Sequence, residues 1–308
     1  MIVLLFPGQG AQKVGMAADL AAAFPAARDA LTEIDDALGF PLSRMMAEGP
    51  EAELQLTHNT QPAILAHSVA VMRVVAEKLG PVAAAAGHSL GEYSAYVAAG
   101  SLAAPDAARL VRQRGELMYR AGQARHGAMA AVLGLGTAEV EAACAGASSG
   151  TEGVVVAANL NAPDQTVISG DPAAVARAGD LCKAAGAKRV LPLKVSGAFH
   201  SPLMAPAVSG LRVALSNVAF QEPRFPVIAN ASAGPVSSAA DAIGLLADQL
   251  TAPVRWVECM RTAADFVPDA TFLELGPGSV LTGLLRRILP EAQCISLGTA
   301  AEVEKYLA

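Results

Sequence analysis

Residues 87–91 of this 308-residue chain read Gly87-His88-Ser89-Leu90-Gly91, and the run continues Glu92-Tyr93-Ser94-Ala95. A serine between glycines in G-x-S-x-G fits a nucleophile elbow, where a strand turns so sharply into a helix that the hydroxyl stands clear of the backbone. Glycine is needed at both flanks because a side chain there would collide with neighbouring structure. The chemistry such a residue suits is covalent: Ser89 attacks a carbonyl and carries the acyl group as an ester. Five residues are too short a pattern to stand alone, so the partners of the hydroxyl have to be found. A serine is a weak nucleophile until a base takes its proton, and that base is most often histidine. Of the five histidines, His58 and His67 flank or sit on an amphipathic helix and read as surface or packing residues. His88 lies inside the elbow, where its side chain points in another direction, and His126 has no motif around it. His200 follows the apolar run 190–195 and stands just before Ser201-Pro202, a capped helix start. Open α/β sheets carry catalytic groups at such places, the carboxyl ends of strands.

Acyl transfer also needs donors where the oxyanion develops, each worth about 2.7–4 kcal/mol. An elbow supplies one from the residue after the nucleophile, the backbone N–H of Leu90. The loop Gly8-Gln9-Gly10, after the apolar run Ile2 to Phe6, is the natural source of a second. The rival use of that loop, phosphate or dinucleotide binding, is disfavoured. No Gly-Lys-Ser/Thr follows, and the spacing after Gly10 does not give G-x-G-x-x-G.

The elements that must position these residues follow from periodicity and breakers. Ile2–Phe6 predicts a first buried strand. Helices are expected over 16–38, from a Thr60 cap with Pro62 in the first turn to about 79, and over 105–120. Residues 81–86 are expected as the strand entering the elbow. Four consecutive alanines there favour helix by propensity, but alanines let a central strand sit between close-packed helices. A helix then runs to Ala99. From 128 the order reads strand (128–135), helix (137–147), strands (153–161 and 165–169), helix (172–185), strand (188–195), a split βαβ unit of ferredoxin-like kind. Residues 137–152 are loosely composed. Beyond 200 the alternation resumes, with a strand at 226–229, helices at 241–250 and 254–264, a last core strand at 270–275 and a helix ending in Arg286-Arg287. The expected architecture is a parallel-sheet α/β domain, 1–126 and 197–308, interrupted by a small α+β subdomain at 127–196.

Bulk properties exclude several classes. With 53% hydrophobic and 16% charged residues the chain is globular and not disordered. A net charge of −6 disfavours nucleic acid as a partner. Cys144, Cys182, Cys259 and Cys294 show no paired spacing, so neither a zinc site nor a disulfide framework is expected. No signal peptide is visible, and no apolar run reaches the roughly 20 residues of a membrane span. A soluble cytoplasmic protein is expected.

Several blocks occur in order: Phe6-Pro7-Gly8-Gln9-Gly10-Ala11-Gln12, Gly87 to Ala95, Arg114-Gly115, Gly197-Ala198-Phe199-His200-Ser201-Pro202, Asp248-Gln249-Leu250 and Leu275-Gly276-Pro277-Gly278. Together they resemble malonyl-CoA:acyl-carrier-protein transacylases of bacterial type II fatty-acid synthesis, over essentially the whole chain. The resemblance implies an α/β-hydrolase-like large domain with an inserted ferredoxin-like subdomain. It implies Ser89 as nucleophile, His200 as general base and then acid, and the backbone amides of Gln9 and Leu90 as oxyanion hole. Arg114 pairs with the free malonyl carboxylate, and the backbone carbonyl of Gln249 orients His200 in place of a triad acid. Consistent with that, no Asp or Glu in 128–196 has a claim to complete a triad; Asp171 reads as a helix cap and Asp180 as a solvated residue. Phe199, beside the base, and Met118 are expected to shape the acyl pocket. The implied partners are malonyl-CoA and an acidic acyl carrier protein, with no cofactor or metal, and a monomer is expected. Lys183, Lys188, Arg189 and Lys194 are the candidate docking surface, with Arg286 and Arg287 as a second group. The competing functions are a stand-alone acyltransferase for polyketide synthesis or malonate decarboxylation, a serine esterase or thioesterase, and a non-catalytic binding module. Arg114 argues against an esterase for neutral acyl groups. The presence of both Ser89 and His200 argues against a module that has lost catalysis.

Overall fold

The structure is a computed structural model that describes residues 1–149 and 153–308. Residues 150–152, the end of the loosely composed stretch, lie outside the described residues. The chain opens with β1 (Ile2–Phe6), α1 (Ala18–Ala23), α2 (Pro25–Leu38), α3 (Leu42–Glu48), α4 (Glu51–Leu54) and α5 (Thr57–Val75). Next come β2 (Val82–Gly87), α6 (Gly91–Ala98) and α7 (Ala104–Ala124). A second group contains β3 (Ala128–Leu133), α8 (Thr137–Ser148), β4 (Val155–Ala162), β5 (Gln165–Gly170), α9 (Pro172–Ala184) and β6 (Arg189–Pro192). A 3-10 turn at Pro202–Met204 then leads into α10 (Ala205–Ser216), β7 (Val227–Ile228), β8 (Pro235–Val236) and α11 (Ala239–Asp248). The chain closes with α12 (Trp256–Phe266), β9 (Thr271–Leu275), α13 (Val280–Ile288), β10 (Gln293–Leu297) and α14 (Ala300–Leu307).

Two sheets result. The larger has the order β10-β9-β1-β2-β7-β8 and is parallel except for the β7–β8 pair. The smaller, β4-β5-β3-β6, is antiparallel throughout and is built from residues 128–192, with α8 and α9 packed together over it. In the larger sheet the side chains alternate between two cores. Leu4, Phe6 and Ala85 face α5 and α6, whereas Val3, Leu5, Ala84 and Ala86 face Trp256 and Met260 of α12. The alanine-rich segment is therefore a strand despite its helical propensity. It is buried on both faces, and tertiary packing overrides the local preference. The chain order reverses between β1 and β9, so the carboxyl end of β1 borders a topological switch point, with the end of β2 beside it.

Several local expectations are corrected. Residues 16–38 form two helices, because Phe24 ahead of Pro25 takes an extended conformation (φ −125°, ψ 117°). The helix expected from Thr60 starts at Thr57, and the Thr60 hydroxyl donates back to the Leu54 carbonyl at 2.6 Å. Pro62 thus lies inside α5 and leaves the His58 carbonyl without its helical donor. Arg112 fills that vacancy, donating to the His58 oxygen at 3.1 Å. The strand expected to reach 195 ends at Pro192, and the chain beyond turns toward the elbow. Asp171 does not cap α9 with its side chain; its carboxylate accepts from the Val154 N–H and from Arg125. Strand β9 is the last core strand, but an unexpected edge strand, β10, pairs beyond it with only Leu297 fully buried.

The tightest packing in the large sheet is at the elbow glycines. A Cβ on Gly91 would lie 2.2 Å from the Phe6 carbonyl oxygen, and one on Gly87 would lie 2.0 Å from Gly91 backbone atoms. Gly91→Ala should therefore push α6 off the end of β1 and cost about 1–3 kcal/mol. The midpoint of urea unfolding measures this; an unchanged midpoint would show that the close approach does not constrain the fold.

Candidate active site

The elbow holds Ser89 at φ 52°, in the left-handed region that β-carbon-bearing residues seldom occupy. Two side chains keep it there. The Ser89 N–H donates to Asn230 Oδ1 at 2.7 Å, and Asn230 Nδ2 donates to the Gly87 carbonyl at 2.7 Å, bracketing the turn. Gln249 Nε2 donates to the Ser89 carbonyl at 3.0 Å. His200, likewise at φ 55°, reaches in from the segment before the 3-10 turn, which Ser201 caps by accepting from the Leu203 N–H. Strain of this kind concentrates at functional sites, where surrounding structure over-determines it.

Ser89 Oγ lies 2.8 Å from His200 Nε2. His200 Nδ1 faces the carbonyls of Gln249 (2.9 Å) and Ala252 (3.2 Å). Carbonyls only accept, so Nδ1 carries the proton and Nε2 presents its lone pair to the hydroxyl. Burial, reinforced by the nearby Arg114 cation, holds His200 down to about 3. The imidazole is thus a neutral acceptor, oriented by backbone and not by a carboxylate.

Arg114 reaches the same hydroxyl from α7. Its Nη2 donates to Ser89 Oγ at 3.2 Å and to Gln249 Oε1 at 2.9 Å, and its Nη1 to Gln61 Oε1 at 2.7 Å. The guanidinium is only 1% exposed, stands over the Tyr93 ring at 5.7 Å, and leaves Nε–H without a protein acceptor among the described residues. A buried, planar cation with a free donor has the chemistry to bind a carboxylate.

These groups line a cavity of about 110 Å³. Gln9, Leu90, Met118 and Phe199 contribute to its wall, as do Met129, Asn159, Leu193 and Val195 from the second sheet and the chain beyond it. The backbone N–H groups of Gln9 and Leu90 donate to no protein acceptor among the described residues. The Gln9 side chain is turned aside toward Thr57. His88 faces away from the hydroxyl, its Nε2 paired with Asn161 Oδ1 at 2.8 Å. His67 is buried against the Gly298 carbonyl, His58 stands edge-on to Tyr119, and His126 is exposed. Among the described residues, no group of three or more His, Cys, Asp or Glu could hold a metal ion, and no helix is long and apolar enough to cross a membrane.

The basic residues separate. Lys183 pairs with Asp180 on α9, and Lys188 lies at the far end of β6. Lys188 and Leu193 bond to Leu133 and Met129 respectively, which puts them roughly 13 Å apart along β3. Arg189 belongs with Lys188, while exposed Lys194 adjoins the cavity-lining Leu193 and Val195. Arg287 is engaged by Asp164 and Gln165. Sequence reasoning missed Asn230, Glu92 and Gln61. Asn230 had a signal, a polar residue directly after a buried strand's carboxyl end, and Glu92 stood inside the elbow run itself.

Comparison with known proteins fits this geometry. Residues 3–304 match the acyl transferase domain family. The chain is 44% identical to the malonyl CoA-acyl carrier protein transacylase of Haemophilus influenzae, over 99% of this chain and 98% of that one. The chain belongs to the malonyl CoA-acyl carrier protein transacylase family. Among solved structures, it is similar to an acyl carrier protein S-malonyltransferase from Vibrio cholerae, with TM-score 0.94, 42% identity and 99% of each chain covered. A malonyl-transacylase solved in complex with its type II PKS acyl-carrier protein matches with TM-score 0.95 and 44% identity, covering 99% of this chain and 98% of that one. The family is one of acyltransferase enzymes, and the shared fold is α/β with a mixed, mostly parallel sheet and a second sheet.

The depressed His200 makes a pH prediction. An imidazole whose protonation is pushed from 6.5 to about 3 stays an unprotonated base as pH falls through 6.5. Modification of Ser89 by an uncharged serine-directed phosphonate should therefore show no acid limb near pH 6.5. Intact-mass time courses between pH 5 and 8 measure it, and a limb centred near 6.5 would contradict the buried, neutral histidine.

Proposed function

We propose that this chain transfers the malonyl group of malonyl-CoA to the phosphopantetheine thiol of an acyl carrier protein, through a malonyl ester on Ser89, and so supplies fatty-acid synthesis. One observation carries this reading: a single hydroxyl stands 2.8 Å from a neutral imidazole and 3.2 Å from a buried guanidinium. The names of the related enzymes supply the substrate class. His200 Nε2 takes the Ser89 proton as Oγ attacks the thioester carbonyl, and the Gln9 and Leu90 amides receive the oxyanion. Collapse expels CoA, which leaves with the proton from His200. The carrier thiol then repeats the sequence in reverse, with His200 as base and then acid, in a ping-pong cycle. Neither a metal nor a redox cofactor enters these steps. Gln249 keeps the imidazole in its productive tautomer through its backbone carbonyl. Phe199 and Met118 shape the wall beside the acyl group.

Arg114 selects the substrate by gripping the malonyl carboxylate with charge-assisted hydrogen bonds of about 1.5–3 kcal/mol each. An acceptor from polyketide synthesis is the second reading, favoured by the structural relative seated on a type II PKS acyl-carrier protein. At the level of fold, the position of the elbow between β2 and α6 supports an α/β-hydrolase-like description. The strand order β4-β5-β3-β6 supports a ferredoxin-like inserted unit.

Mixing with malonyl-CoA should add one malonyl mass to the wild-type chain and none to Ser89→Ala, and the adduct should pass to holo carrier protein. Persistence of the adduct in Ser89→Ala would remove the serine from the mechanism. Arg114→Ala should lower malonyl transfer by about tenfold or more for each charge-assisted bond lost while raising relative use of acetyl-CoA; an unchanged preference would remove Arg114 from the acyl site. For the carrier, Lys194 beside the cavity is the strongest docking candidate, ahead of Lys183, Lys188 and Arg189. Lys194→Glu should raise KM for carrier protein and leave KM for malonyl-CoA alone, whereas an unchanged KM for carrier protein would discount the lysine.

A further inference from the structure

Behind the elbow lies a second buried charge that the transfer steps do not use. Glu92, in the first turn of α6, is 0% exposed. Its Oε2 accepts from the Asn230 N–H at 2.9 Å and from Gln249 Nε2 at 2.7 Å, while its Oε1 has no partner among the described residues. The Gln249 amide joins this carboxylate to Arg114, its NH2 toward Glu92 and its oxygen toward the guanidinium. Cation and anion are thus tied through one neutral amide, without direct contact. The other titratable groups facing Glu92 are Tyr93 and Tyr96 on its own helix and Cys259 on α12, and burial pushes all three upward so that they remain neutral. His200, beyond Gln249, is held neutral as described. Among the described residues, Arg114 is the one cation acting on the Glu92 carboxylate, and burial outweighs it, lifting Glu92 to about 7.

Above the Glu92 titration, the substrate-free site balances one cation against one anion. Loading malonyl brings a second carboxylate to the same cation, inside a site too buried for solvent to screen it. Building on the malonyl reading above, we propose that Glu92 takes up a proton from solvent when malonyl is loaded onto Ser89 and gives it back when malonyl leaves. The bare Oε1 is the atom that receives it, since Oε2 is already saturated by two N–H donors. The covalent step itself is balanced without this proton: the serine hydroxyl and the thioester become an ester and free CoA thiol. The uptake is an addition that follows from the extra charge alone. An acetyl group, which brings none, should not cause it.

The test uses the wild-type protein at pH 8 in weak buffer with a pH indicator, mixed with malonyl-CoA or with acetyl-CoA, acylation being counted by intact mass. Ionisation of the released CoA thiol is common to both and cancels in the difference. Malonyl loading should consume more than acetyl loading by an amount approaching about one proton per acylated site. Glu92→Gln, which keeps an acceptor oxygen for Asn230 and Gln249, should abolish that difference. No difference in the wild type, or an equal one in Glu92→Gln, would overturn the assignment. A second measurement needs no variant: at a fixed acyl-CoA to CoA ratio, malonyl-enzyme relative to acetyl-enzyme should fall by up to about tenfold per pH unit above the Glu92 titration. A ratio that does not change with pH would overturn the proposal as well. Failure of any malonyl adduct to form would instead strike the malonyl reading itself, and proton uptake with it.

Discussion

The polarity of one side-chain amide organises the whole site. Arg114 can only donate hydrogen bonds and an ionised Glu92 can only accept them, so the Gln249 amide between them has a single satisfactory orientation. The same amide also holds the Ser89 carbonyl, and the backbone oxygen of Gln249 holds His200. Hydroxyl, imidazole and guanidinium come from three separate parts of the chain, yet they share one reference point. A half-satisfied network of this kind would be costly in a buried site. The bonds that Gln249 and Asn230 do make hold Ser89 at positive φ next to a desolvated cation, while Arg114 Nε and Glu92 Oε1 stay without a partner among the described residues.

The sheet provides the second level of constraint. Parallel pairing of β1 with β2 brings the Gly8-Gln9-Gly10 loop and the elbow to the same edge, and the glycine contacts set how closely α6 approaches β1. Small residues matter here for what they leave out. The alanines of β2 allow α12, with its fully buried Trp256, to pack directly behind the elbow, where the ring also contacts His88 at 5.5 Å. The position of Ser89 is thus determined from below by packing and from the sides by hydrogen bonds.

Much of this was legible from residue types. The apolar run of β1, the elbow glycines and the order of elements from β3 to β6 each follow local rules that the tertiary structure respects. His200 could be singled out because it follows a strand and precedes a cap. The failures have common physical causes. Pro62 and Thr60 looked like a helix start because the compensating donor, Arg112, lies some fifty residues away. Asp171 looked like a cap because its true partners, Arg125 and the Val154 N–H, are brought to it only by folding. Asn230, Glu92 and Gln61 are ordinary polar residues in sequence, and their importance comes from what a long-range network places beside them. Strand β10 was invisible because an edge strand buries too little to impose a clear alternation.

The second sheet has a consequence of its own. It supplies none of the groups around the Ser89 hydroxyl, yet it furnishes Met129 and Asn159 to the cavity wall, and β4 is stitched to the large sheet's side through the Asn159–Val254 bridge and the His88–Asn161 contact. Part of the container is therefore encoded on a stretch of chain separate from the reactive groups. Drift in the inserted stretch can remodel the space offered to an acyl chain while the charge network beneath it stays fixed. A lineage built on this plan can diversify its cargo without rebuilding its chemistry.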